Sequence, residues 1–349
     1  MSVFDIFIVA SGSFLLCLTL SERRFRTLFR SSSRIQDLHS RSISRLGGVA
    51  IITPVGCYVS LVFGLTSSSP ITLIVLLSSF SLLIGLWDDL SGHVRPIIRI
   101  SLLVLLAIAA GNLVGWLDRI DSFLFYFDEK WLPIVSWIAT ILAVVGLTNS
   151  FNLVDGLNGL TAGLFLTVLF GLYGLSLKSG VPTEIQTLLI LCIASTLGFL
   201  AVNYPKGRIF LGDCGAYLIG FLITQLCILI NSLAYEISSW SFFLLCLYPI
   251  VETVFTMIRR GRRCLTPDNK HLHQQLHFYL LNRYQKLNHR DWIPNSIASF
   301  LCVLFFVPFA FLAVYFCQNK TALIVSITGF CVGYLCLYGT LERLNRGYR

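Results

Sequence analysis

The residues of this chain that could do chemistry fall into five short segments. "GLWDDLSG" carries two adjacent carboxylates, Asp88 and Asp89, and "NSFNLVDGLNGLTAG" carries Asn149, Asn152, Asp155 and Asn158. "KGRIFLGDCGAY" carries Asp213. "RRGRRCLTPDNKHLHQQL" carries Arg262, Arg263, Asp268, His271 and His273, and "SRLGGVAI" sets Arg45 ahead of Gly47 and Gly48. Carboxylate and amide oxygens are hard donors that suit Mg²⁺, which usually takes one or two protein carboxylates with substrate phosphates and water. Arg and His neutralise charge on a transferring phosphoryl group. Glycines at a helix start let the backbone approach an anion closely. The chemistry suggested is phosphoryl transfer. No G-x-x-x-x-G-K-[ST] loop occurs, which excludes a P-loop nucleotide hydrolase. His271 and His273 stand two residues apart and no H-E-x-x-H is present, which argues against a zinc protease.

Each segment alone has a plainer explanation. Paired aspartates at a helix end can simply be solvated, Asp213 after a glycine can be an N-cap, and two His can sit at an interface. Basic runs beside apolar helices usually report topology, and Arg259 and Arg260 need no more than that. The plain explanations weaken together if all five segments lie on one face.

The elements that must position them are membrane helices. The chain has 349 residues, of which 12% are charged, about half the share usual in soluble domains, and its mean hydropathy is +0.78. No polar stretch is long enough to build a core of its own, so one membrane domain, 1–349, is expected. A span needs about 20 apolar residues. Eleven candidates follow, near 3–20, 48–65, 71–87, 98–117, 133–149, 159–177, 185–202, 215–231, 239–258, 295–316 and 321–338. The first has its basic cluster after it rather than before, the reverse of a secretory signal, and is expected to stay as a helix. If the loop after it is inside, every Lys and Arg of the 26 except Arg119, Lys130, Lys178 and Lys320 falls on the inner side, as the positive-inside rule requires. The N-terminus is then outside and the C-terminus cytoplasmic, and all five segments share the inner face. In this class the net charge of +9 reports cytoplasmic loops rather than a nucleic-acid partner. The eleven Cys are scattered and form no C-x-x-C pair, so neither disulfides nor a thiolate metal site is inferred.

The ordered set "RLGGVAI", "DD", "NSFNLVDGLNGL", "GDCGAYLIGF", "PIVETVFTMIRR" and "PDNKHLH" resembles the polyprenyl-phosphate N-acetylhexosamine-1-phosphate transferases, to which the phospho-N-acetylmuramoyl-pentapeptide transferase is related. The likeness runs from about His39 to His273. It implies that a lipid-phosphate oxygen, in undecaprenyl phosphate, attacks the β-phosphorus of a UDP-N-acetylhexosamine and that UMP leaves. It implies Asp213 and Asn152 as ligands of Mg²⁺, or of Mn²⁺ in its place. Asp88 and Asp89 match a pair credited either with deprotonating the lipid phosphate or with organising the metal site. Asp155 matches a further aspartate of the family. Asn158 stands where uracil is recognised, and His271 and His273 match a loop that touches the sugar nucleotide. Asn149, Arg45, Arg95, Arg262 and Arg263 complete the expected substrate contacts. The product would start a cell-envelope glycan such as O-antigen, with the active site on the cytoplasmic face of a bacterial inner membrane.

The chain departs from the family pattern in places. Bacterial relatives usually carry Asp at Asn158, a further His at Gln274, Ser at Ala216 and prolines at Ser42 and Ser44. The sequence "HLHQQ" disfavours the muramoyl-pentapeptide enzyme, which usually has three consecutive His. Glu252, an acid inside a span, is a functional candidate by default; a structural ion pair with Arg259, about two turns on, explains it equally well. His271 to Trp292 alternates apolar and basic residues and is expected to form a helix on the inner membrane surface. The rival function is a transporter of an anionic or lipid-linked substrate, which would want charges or broken helices near mid-membrane. The sequence leaves monomer and homodimer both open.

Overall fold

The computed structural model describes residues 1–26, 43–64, 69–92, 94–119, 129–261, 268–284 and 292–347. Arg262, Arg263 and His39 lie outside them. Every regular element described is helical: α1 (Val3–Leu20), α2 (Arg23–Arg26), α3 (Gly47–Phe63), α4 (Pro70–Ser91), α5 (Pro96–Leu113), α6 (Leu132–Val154), α7 (Leu160–Ser179), α8 (Thr183–Asn203), α9 (Gly212–Leu233), α10 (Ser239–Leu245), α11 (Leu247–Arg260), α12 (Leu272–Tyr284), α13 (Trp292–Tyr315) and α14 (Lys320–Arg346). Hydrocarbon offers the backbone no hydrogen bonds, so apolar runs of this length close their own ladders as helices.

Each of the eleven expected spans has its counterpart, but not all as expected. Among the described residues nine helices are long and apolar enough to cross a membrane, and α10 with α11 makes a tenth, bent by 72°. The remaining apolar helix, α3, has only 17 residues. The sequence reading took 239–258 as one continuous span, and that needs correction: the helix breaks at Cys246. Pro249 explains the break. It has no N–H to donate, and its ring would collide with the carbonyl of Leu245, the last residue of α10. The span expected over 133–149 runs on to Val154 and takes in the start of "NSFNLVDGLNGL". There the Asn149 amide donates to Val145 O at 2.7 Å and the Ser150 hydroxyl to Gly146 O at 2.8 Å. Only Asp155 to Gly159 turns, and Gly159 is left-handed at φ 78°, a conformation that costs glycine little.

Helix α9 is the axis of the bundle. Of the residues in its apolar stretch 83% are buried, against 17% in that of α1, and α3, α4, α6 and α7 surround it. It runs antiparallel to α4 and α6, so its first turn meets their last turns. Small residues set the spacing, as membrane helices packing without a hydrophobic driving force require. A β-carbon on Gly85 of α4 would overlap the backbone of Asp213, one on Gly48 of α3 the backbone of Gly215, and one on Gly220 that of Thr148 of α6. The chain carrying Asp213 is thus drawn against the helix ends that carry Asp88, Asp89 and Asn152.

Candidate active site

Helix α4 ends immediately after its acidic pair. Gly92 adopts the left-handed conformation and its N–H returns to Asp88 O at 3.0 Å, a common helix stop. The two carboxylates then diverge. Asp88 Oδ1 accepts the Val94 N–H at 2.8 Å and Oδ2 accepts Arg99 Nη1 at 2.5 Å. Asp89 turns inward: Oδ2 accepts the Cys214 N–H at 3.0 Å and Oδ1 lies 3.8 Å from Arg45 Nη1. Both aspartates are buried. Arg95, expected as a phosphate contact, sits exposed at the N-cap of α5. It is Arg99, one turn on, that reaches the acidic pair.

Asp213 occupies the first turn of α9, and Asn152, near the end of α6, donates its amide to Asp213 Oδ1 at 3.1 Å. Asp155 follows at the C-cap of α6. Burial, with the charge of Asp213 adding to it, pushes the Asp155 carboxyl up to about 7, while Arg45 pulls the other way. Among the described residues no three His, Cys, Asp or Glu side chains gather into a metal cluster. What the site offers instead is one carboxylate beside one amide, with further acids close by.

Asn158 is buried and internally bonded. Its N–H donates to Asn295 Oδ1 at 2.8 Å and its Nδ2 to Pro205 O at 3.0 Å, while Oδ1 accepts nothing within the chain. It ties the turn after α6 to the 204–207 loop and to α13.

The two histidines approach from α12. Their rings stack nearly parallel, 4° apart in tilt and 5.6 Å between centroids. His271 Nδ1 lies 3.1 Å from Glu252 Oε1 and 3.2 Å from Thr256 Oγ1. Its N–H donates to Gln274 Oε1 at 3.2 Å, so the glutamine that replaces the family's further His closes the helix start. His273 is fully buried, and neither ring nitrogen has a partner within the chain. Burial, then the neighbouring His271 and His277, hold it well below the usual histidine range, so the ring is neutral at pH 7. Its Nε2 lies 3.2 Å from where a β-carbon on Gly156 would stand, and the missing side chain lets α12 close on the turn that follows Asp155. On the far side Arg259 pairs with Asp268; burial opposes ionisation there, but the guanidinium keeps that carboxyl below its ordinary range.

One end of the bundle therefore collects Asp88, Asp89, Asn152, Asp155 and Asp213 from three helices and a turn, with Arg45, Arg99 and two histidines around them. The family model for glycosyl transferase family 4 matches residues 71–231, which carry all five of those acids and amides. A Bacillus subtilis (strain 168) protein named a probable undecaprenyl-phosphate N-acetylglucosaminyl 1-phosphate transferase is 31% identical over 69% of this chain and 67% of its own length.

The chain belongs to glycosyl transferase family 4.

Two other relatives agree in kind. A decaprenyl-phosphate N-acetylglucosaminephosphotransferase of Mycolicibacterium smegmatis is 29% identical over 70% of this chain and 67% of its own. A phospho-N-acetylmuramoyl-pentapeptide-transferase of Lacticaseibacillus paracasei is 27% identical over 57% and 64%. The matches thus span about two thirds of these relatives. In this family-4 chain Arg99 and Glu252 are the site residues that sequence reasoning left outside its set. The signal for Arg99 was a basic residue one turn into a helix that starts beside the acidic pair; for Glu252 it was a carboxylate inside an apolar span.

Proposed function

We propose that this multi-pass membrane protein transfers N-acetylglucosamine 1-phosphate from UDP-N-acetylglucosamine to undecaprenyl phosphate at the cytoplasmic face of a bacterial inner membrane. An oxygen of the lipid phosphate forms a bond to the β-phosphorus of the sugar nucleotide. The bond from that phosphorus to the oxygen bridging the two phosphates breaks, and UMP leaves with the bridging oxygen. The lipid-pyrophosphoryl sugar that remains would begin an envelope glycan such as O-antigen. The observation that carries this reading is the pairing of Asn152 with Asp213 at 3.1 Å, beside the acidic end of α4.

The donor set there fits Mg²⁺. Asp213 supplies a carboxylate, Asn152 an amide oxygen once its side chain turns over, and substrate phosphates with water can fill the rest of an octahedron. Mn²⁺ fits the same hard oxygens. Bound there, the cation would neutralise charge on the pyrophosphate. Arg45 stands ready for phosphate oxygens, and His273 presents two ring nitrogens with no partner in the chain. Asp88 pairs with Arg99, close to where the acceptor phosphate must arrive.

The acceptor enters from the side. An apolar groove of about 410 Å³ between α4 and α5 is lined by Phe80, Leu83, Ile84, Trp87, Leu102, Leu105, Leu106 and Ala109. Its apolar lining suits an isoprenoid chain, and Trp87 and Leu102 of that lining stand next to Asp88 and one turn from Arg99 in their helices. The transporter reading would favour the broken helix at Cys246, but the break is flanked by Leu244, Leu245, Leu247 and Tyr248, and the carboxylate beyond it, Glu252, is bonded to α12.

The deciding experiment supplies purified protein with undecaprenyl phosphate, Mg²⁺ and a panel of UDP-sugars, follows UMP and weighs the lipid product. UMP release is expected with UDP-N-acetylglucosamine. Silence with every UDP-amino sugar would sink the proposal, and substrate counterflow without UMP would establish the transporter.

A further inference from the structure

Glu252 is wholly buried, in the second half of a bent span. Such a carboxylate is costly unless paired and hydrogen-bonded. Its partner is not Arg259, which is engaged with Asp268. Instead Glu252 reaches sideways to the start of α12. Oε1 accepts the Leu272 N–H at 3.1 Å and Oε2 faces the same N–H at 3.3 Å, while Oε1 also lies 3.1 Å from His271 Nδ1. The first N–H groups of a helix have no partner within it, and here a neighbouring helix supplies the carboxylate that takes one of them.

We propose that Glu252 is a positioning residue, whose carboxylate fixes the start of α12 and the Nδ1–H tautomer of His271 and so sets how the stacked pair brings His273 to the site. Oε1 already accepts the Leu272 N–H, and a carboxylate oxygen used as an acceptor asks the facing ring nitrogen to carry the hydrogen. Nε2 of His271 faces the other way and lies 4.0 Å from Asp268 Oδ2. The parallel stack passes that orientation to His273, which Gly156 admits to the turn after Asp155. Thr256 Oγ1 also faces His271 Nδ1, at 3.2 Å. Its hydroxyl can donate or accept and selects no tautomer by itself.

The kinetic consequence rests on the transferase reading; the tautomer does not. The test compares wild type, Glu252→Ala, Glu252→Gln and Thr256→Val in lipid nanodiscs, with ¹⁵N-histidine spectra assigned by His271→Gln. Wild type is expected to show hydrogen on Nδ1 of His271. Glu252→Ala should move it to Nε2, with the Thr256 hydroxyl now donating to Nδ1. It should also lower kcat/KM for the sugar nucleotide on the order of a hundredfold, as small misplacements of catalytic groups do, leaving KM for undecaprenyl phosphate unchanged. Glu252→Gln keeps an oxygen acceptor and should recover most of both. An unchanged His271 spectrum in Glu252→Ala overturns the proposal. Should that variant fail to fold, Thr256→Val decides: it should retain Nδ1–H, and a switch to Nε2–H there would assign the tautomer to the hydroxyl instead. A wild type with the expected tautomer and no turnover would sink the transferase reading and leave the positioning role standing.

Discussion

The Cys214 N–H, in the first turn of α9, donates to Asp89 Oδ2 at 3.0 Å. Asp89 therefore caps, from another helix, the helix that carries Asp213, while Asp88, its neighbour, pairs with Arg99 and takes the Val94 N–H. The two acids have different work. Asp89→Ala should lower the melting temperature and activity together, because it frees a buried N–H. Asp88→Asn keeps an oxygen for the Val94 N–H but loses the ion pair with Arg99, so it should lose activity with a smaller fall in melting temperature than Asp89→Ala. Paired melting and UMP-release measurements check the contrast.

Asp213→Asn keeps the shape and the Asn152 contact but removes the charge a divalent cation needs. Turnover should fall at least about a hundredfold, the order expected when a preorganised charge is lost. Folding should be intact by thermal melting, and wild-type turnover would remove Asp213 from the cation site.

The close crossing of α4 and α9 predicts a sharp difference between two glycines. Gly85→Ala would force its methyl group into the Asp213 backbone, and both stability and activity should drop. Gly146 has open space around the corresponding position, so Gly146→Ala should be neutral or stabilising by up to about 1 kcal/mol. Melting curves of the two variants side by side are enough.

If the groove between α4 and α5 holds the isoprenoid chain, Ala109→Phe should raise KM for undecaprenyl phosphate several-fold while leaving KM for the sugar nucleotide unchanged. A water-soluble short-chain acceptor should feel the substitution less. Equal effects on both acceptors would place the chain elsewhere.

Asp268 has a depressed pKa because Arg259 pairs with it. Stability from such a group is present above the unfolded-state value, 3.8, and is lost as pH falls through the still lower folded value. Asp268→Asn should therefore lower the melting temperature at pH 7, and the gap from wild type should narrow as the pH approaches 3. A gap independent of pH would assign the effect to packing.

Much of this was legible in the chain itself. The eleven apolar runs, the five polar segments and their order all followed from length, hydropathy and residue type, because a span needs a fixed number of apolar residues and a buried acid needs a reason. Family membership followed from the same motifs. The break at Cys246 was missed, although Pro249 announced it, because hydropathy averages across a kink. The continuation of α6 from Asn149 to Val154 was missed because polar residues that bond their own helix look, in sequence, like the start of a turn.

The sequence by itself determined that this is a helical membrane protein with acids and amides enough for phosphoryl transfer, since those properties belong to residue types and local runs. Only the tertiary structure decided what each group faces. Arg99 rather than Arg95 meets Asp88, Asp89 caps α9, Asn152 meets Asp213, and Glu252 serves α12 rather than Arg259. Those choices depend on how closely α4, α6 and α9 approach and on where α11 bends, and helix crossings are set by small residues and side-chain packing between segments far apart in the chain, which no local pattern records.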